Sequence, residues 1–196
     1  MHKPIKAIII SAFAALAAAA PAQPQSQPPA DGAVEAPIDE IVLAPPFDQP
    51  FACAEHPEGQ LKSLGDALGT DCMITGGVTA AGGFSRMYRG DGARNEDWYG
   101  WRADVRAPFD GVVKVVHLNL KTNTPGTMGT PPASVIGFER VDGAVVAYAH
   151  VQDIKVKVGD RVTAGQVVAT VGNNGMARNP HLHIGALKDH RPLQIR

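Results

Sequence analysis

From about Asp104 onward the chain is a series of short, valine-rich runs separated by turn residues, and no long segment has helical periodicity. Asp110-Gly111 precedes Val112-Val113-Lys114-Val115-Val116. Ala133 to Val141 meets Ala144 to Val151 across Asp142-Gly143. Ile154, Val156 and Val158 alternate with Lys155 and Lys157, and Val167 to Val171 follows Ala164-Gly165. β-Branched runs bounded by such residues read as strands, and Asp-Gly between two of them is a strong hairpin signal. The pattern predicts an all-β domain, a sandwich or barrel of short, mostly antiparallel strands.

The rest of the chain frames that domain. With 196 residues, 44% of them hydrophobic, it has enough apolar material for one globular domain with a core, plus extensions. A formal charge of −1 offers no basic surface for nucleic acid. Residues 1–22 read as a signal peptide: Lys3 and Lys6 form a basic start, Ile8 to Ala19 is apolar, and Ala20-Pro21-Ala22 fits a cleavage site. The apolar run is too short to span a bilayer comfortably, so the expected product is secreted or periplasmic, with no stable membrane span. Residues 23–46, rich in Pro, Gln and Ala, read as a disordered N-terminal extension acting as a tether. Residues 47–90 read as an irregular, loop-rich lead-in, with a short helix around Gln60 to Leu68. Cys53 and Cys72 are the two cysteines, and in an oxidising compartment they are expected to form a disulfide.

Chemistry concentrates in three histidines. Gly172-Asn173-Asn174-Gly175 leads through Asn179-Pro180 to His181-Leu182-His183. If Leu182 and Ile184 enter a core, His181 and His183 share the opposite face, because strand side chains alternate with period two. Two adjacent imidazoles can bind a metal, or divide metal binding and proton transfer between them. His150 ends the apolar run Ala144 to Ala149.

Two stretches together resemble a known family. One is Val105-Arg106-Ala107-Pro108-Phe109-Asp110-Gly111-Val112-Val113. The other runs from Tyr148-Ala149-His150 through Val156-Lys157-Val158-Gly159-Asp160-Arg161-Val162 and Ala164-Gly165-Gln166 to Pro180-His181-Leu182-His183. The set resembles the LytM/lysostaphin-type zinc endopeptidases over about Asn95 to Ile184. The resemblance implies a duplicated hybrid motif over residues 91–196, one zinc ion, and hydrolysis of peptide cross-links in peptidoglycan. The family's ligands are the His and Asp of a His-x-x-x-Asp motif and the second His of His-x-His. His183 is then a ligand, and His150 and His181 flank the attacking water and the tetrahedral intermediate.

One part of the pattern is missing. Alignment on Val105, Pro108 and Asp110-Gly111 sets the family's aspartate near Glu96 or Asp97, with Asp97 the preferred ligand. Its partner histidine would fall near Gly92 or Ala93, where there is none. Glu96 and Asp97 can also be plain loop charges, or partners of Arg94 or Arg102. His56, in the lead-in, can reach the site only through tertiary structure. Trp98, Tyr99 and Trp101 can line a substrate groove or cover a sheet edge. The runner-up reading is a degenerate relative that binds cell wall or regulates wall amidases. A lipoyl- or biotinyl-type carrier shares the valine-rich turns, but no Met-Lys-Met or Asp-Lys-Ala is present.

Overall fold

The structure, a computed structural model, describes residues 38–61, 63–78 and 83–196. The expected signal peptide, and the tether up to residue 37, lie outside the described residues. Among the described residues the regular elements are strands and one 3-10 turn, Asn95–Asp97, so the domain is all-β. No helix there is long and apolar enough to cross a membrane.

The strands in chain order are β1 (Glu40–Ile41), β2 (Phe51–Glu55), β3 (Thr70–Ile74), β4 (Asp104–Arg106), β5 (Gly111–His117), β6 (Val135–Arg140) and β7 (Val145–Ala149). Then follow β8 (Val151–Gln152), β9 (Arg161–Val162), β10 (Val167–Val171), β11 (Leu182–Lys188), β12 (Arg191–Pro192) and β13 (Gln194–Ile195). The main sheet has the order β2-β3-β11-β7-β6-β5-β9, with β12 also on β11. A small sheet, β4-β10-β8, lies apart from it, and β1 pairs with β13 in parallel. The β6–β7 hairpin turns at Asp142-Gly143, as expected, with Gly143 at φ 86°. Ile154 and Val156 pack partly on the core, but their stretch forms no ladder; Lys155 N–H donates to Val168 O at 2.8 Å.

Both sheets contribute to one core. Val105, Val168 and Val171 come from the small sheet; Ile136, Phe138, Tyr148, Leu182 and Ile184 come from the large one. Each such side chain taken fully out of water contributes roughly 1.5–3 kcal/mol.

The lead-in does more than pack on this domain. β2 and β3 form a hairpin that continues the main sheet past β11. Cys53 and Cys72 sit opposite each other in that hairpin and are disulfide-bonded. The helix expected around Gln60 to Leu68 is instead a set of tight turns over Ser63–Leu68, with Ala67 N–H and Asp66 N–H both donating to Ser63 O. Chain expected to belong to the tether is also part of the fold: Ile41 is buried in the core and pairs with Ile195.

Candidate metal centre

The ladder positions the site. Val135, Ala149, His183, Asp71 and Ala54 face one another in a single row across β6, β7, β11, β3 and β2. Directly opposed residues project to the same face, so this row brings His183 against Asp71. The neighbouring rows face the other way. Leu182 and Ile184 are buried in the core, and so is Cys72, beside Leu182. The alternation read from His181-Leu182-His183 therefore matches which side chains join the apolar core, though both histidines are buried as well. Ala133, Val135, Ala147 and Ala149 form a small apolar patch on the histidine face.

His56, Asp71 and His183 each offer a ligand atom, all within 4.8 Å of one another. Asp71 is at the centre. Its Oδ1 lies 2.8 Å from His183 Nδ1, and its Oδ2 lies 3.6 Å from His56 Nε2. His56 arrives because the β2–β3 pairing runs on past Glu55: its backbone N–H donates to Gly69 O at 2.8 Å. The other nitrogen of each ring is engaged. His56 Nδ1 donates to Asp66 O at 3.0 Å, and His183 Nε2 donates to Gly65 O at 2.9 Å.

His150 and His181 complete the group. Their ring centroids are 4.6 Å apart, and His150 is 6.1 Å from His183. His150 Nδ1 donates to Asn174 O and His181 Nδ1 donates to Asn179 O, both at 2.8 Å. His181 Nε2 points toward Asp71 Oδ1, at 3.6 Å. His150 sits at φ 63°, a left-handed conformation rare for a residue with a Cβ. Asn174 supports it there: its side-chain amide donates to His150 O and Val151 O, and its Oδ1 accepts from Ser134 N–H.

The electrostatics follow from burial and from the Asp71 carboxylate, with Asp66 adding to its effect on His183. Burial by itself would raise the Asp71 carboxyl, but the His183 hydrogen bond and the charges of His181, His183 and His56 hold it well below the usual carboxylate range. Burial also disfavours a charged His183; the bond to Asp71 and its charge reverse that and raise it. Burial pushes His150 down to about 3, and His181 is lowered for the same reason, partly opposed by Asp71.

Asp97 is elsewhere. Its Oδ2 accepts the Arg94 backbone N–H and its Oδ1 accepts Arg94 Nη2, each at 3.0 Å, closing the 3-10 turn. Arg94 holds its carboxyl below the ordinary value. Glu96 is exposed on the same turn. The expected ligand is thus a turn-capping residue, and the carboxylate facing His183 is Asp71. Counting back from Asp110 misses it because the strand beside β11 comes from residues 70–74. The signal that could have pointed there is Thr70-Asp71-Cys72-Met73-Ile74, an alternating run beside a cysteine. The aromatic residues pack locally: Trp98 meets Tyr88 at a tilt, with ring centroids 4.9 Å apart, and Arg89 lies over Tyr99.

Residues 100–195 match the model of Peptidase family M23. The chain is 50% identical over 80 residues to the glycyl-glycine endopeptidase ALE-1 of Staphylococcus capitis; the match covers 40% of this chain and 20% of that protein. It therefore spans about one fifth of the length of that curated relative. Similar solved structures include a zinc-containing peptidase from Vibrio cholerae, at 22% identity, covering 76% of this chain and 37% of that one, with a TM-score of 0.44. They also include the catalytic domain of lysostaphin from Staphylococcus simulans, at 20% identity, covering 71% and 81%, with a TM-score of 0.42. By its matched domain, residues 100–195, this chain belongs to peptidase family M23, the lysostaphin- and LytM-like family.

Proposed function

We propose that the chain is an exported zinc metalloendopeptidase that hydrolyses peptide cross-links of peptidoglycan, with the ion held by His56, Asp71 and His183. The observation that carries this reading is the donor set itself: two imidazole nitrogens and one carboxylate within 4.8 Å of one another. That chemistry fits zinc, whose catalytic sites combine three protein ligands from His, Cys and carboxylates with one open position. Asp71 takes the role expected of Asp97, and His183 keeps its own.

When bound, the ion would supply Lewis-acid polarisation of the scissile carbonyl and a water acidic enough to react near neutral pH. The chain's own residues do the rest. His150 and His181 commit their Nδ1 protons to backbone carbonyls, which leaves Nε2 of each with a lone pair. Asp71 keeps His181 more basic than burial alone would, so His181 accepts the proton of the attacking water and returns it to the leaving amine. His150, its Nδ1 proton held by Asn174 O, offers Nε2 as a hydrogen-bond acceptor that orients the attacking water beside His181.

Export rests on the signal sequence in residues 1–22, and the tether would hold the domain away from a membrane or wall. The relative's printed name, a glycyl-glycine endopeptidase, supports a peptide substrate. The complete donor set weighs against a degenerate, wall-binding or amidase-regulating role. Incubating the mature chain with purified peptidoglycan should release peptide fragments. A chelator, or His183→Ala, should stop that release. Fragments that persist in chelator, or none from zinc-loaded protein, would overturn the assignment.

A further inference from the structure

We propose that the Ser63–Gly69 turn is a positioning element that fixes which nitrogen each metal-site histidine presents, holding His56 and His183 through two consecutive backbone carbonyls. This rests on the metal reading above and concerns residues outside the ligand set.

The carbonyls of Gly65 and Asp66 can only accept hydrogen bonds. His183 Nε2 lies 2.9 Å from Gly65 O, and His56 Nδ1 lies 3.0 Å from Asp66 O. Each of those nitrogens must therefore carry its proton. What remains is His183 Nδ1 and His56 Nε2, the two nitrogens that face Asp71. One turn thus presents opposite nitrogens of the two rings to Asp71; in the metal-free chain His183 Nδ1 donates to Asp71 Oδ1 at 2.8 Å, and that proton would leave when zinc binds. An outer-shell acceptor of this kind orients a ligating imidazole and raises its basicity.

The turn is built to stay in place. Asp66 N–H and Ala67 N–H donate to Ser63 O, and Gly69 N–H donates to Asp66 O, the carbonyl that also serves His56. Leu68 is buried. Gly65 lies flat on Gly185 of β11, two residues beyond His183 on the same face; a Cβ on Gly185 would come within 2.1 Å of Gly65 O. Only glycine at 185 permits that approach. The Asp66 carboxylate adds a second acceptor 3.6 Å from His183 Nε2. The turn connects His56 to Asp71 in sequence and latches onto His183 in space, so all three ligands are referenced to one short loop.

The test uses the full chain, with and without zinc. Nitrogen-15 spectra of the histidine rings should show a protonated Nδ1 on His56 and a protonated Nε2 on His183 in both states. Gly185→Ala should displace Gly65, weaken zinc binding by about 10- to 100-fold, and shift the His183 Nε2 proton signal. An unprotonated Nδ1 on His56, an unprotonated Nε2 on His183, or unchanged zinc affinity in Gly185→Ala would overturn the proposal. If Gly185→Ala does not fold, the spectra of the unsubstituted chain decide. If that chain binds no zinc but both protons are in place, the metal reading fails and the positioning role stands.

Discussion

The candidate metal centre draws on two regions of different character. The M23-matched domain, residues 100–195, supplies His150 just after β7, His181 just before β11 and His183 within β11. The β2–β3 hairpin, outside that match, supplies His56 and Asp71. The first region carries its chemistry in a compact motif. The second carries it on a hairpin whose relevance comes from one ladder, in which Asp71 stands opposite His183. Strand pairing thus brings a carboxylate to His183 in a chain that has no histidine near Gly92 or Ala93.

The strongest way to break this comparison is to remove the hairpin's carboxylate. Asp71→Ala should lower zinc affinity by more than about 100-fold, beyond the usual cost of losing an outer-shell partner. Competition with a chromogenic chelator measures it, and a variant that still holds zinc tightly would detach the hairpin from the site.

A smaller effect should come from the disulfide, which staples the two strands bearing His56 and Asp71. Its cysteines are 19 residues apart in sequence, so replacing both with alanine should cost about 3 kcal/mol in urea unfolding. Zinc binding should weaken as well, since His56 follows Cys53 by three residues and Asp71 directly precedes Cys72. Loss of stability with no change in zinc affinity would mean that the strand ladder alone sets the ligand geometry.

The smallest effect should come from Asp97→Asn. Its carboxylate caps the Asn95–Asp97 turn through Arg94. Zinc affinity, measured by the same competition, should stay within about twofold of the unsubstituted chain, well inside the loss expected even for an outer-shell contact. A drop like that of Asp71→Ala would restore the alignment-based ligand.

Much of the matched domain was legible in advance. Valine-rich runs with Asp-Gly turns marked the strands, and Leu182 and Ile184 framed His181 and His183 by alternation alone. The hairpin was harder to read. Phe51–Glu55 is exposed along its whole length and lacks an alternating apolar face, so it gives little strand signal. A short helix was expected around Gln60 to Leu68, yet tight turns form over Ser63–Leu68 and pack Gly65 against Gly185 of β11. Asp97 was the expected ligand by family spacing, and its carboxylate is taken up by Arg94 in the Asn95–Asp97 turn.

The amino-acid sequence by itself determined the β-rich class, the core-facing alternation of β11 and the placing of His150, His181 and His183 at or next to strand positions, because these depend on local periodicity and short motifs. Only the tertiary structure decided which carboxylate meets His183 and which histidine joins them. Those choices depend on which strand lies beside β11 and in what register, and a one-residue slip would turn Asp71 to the opposite face. Pairing between residues 71 and 183 is a long-range event, and neither strand's own sequence encodes its partner.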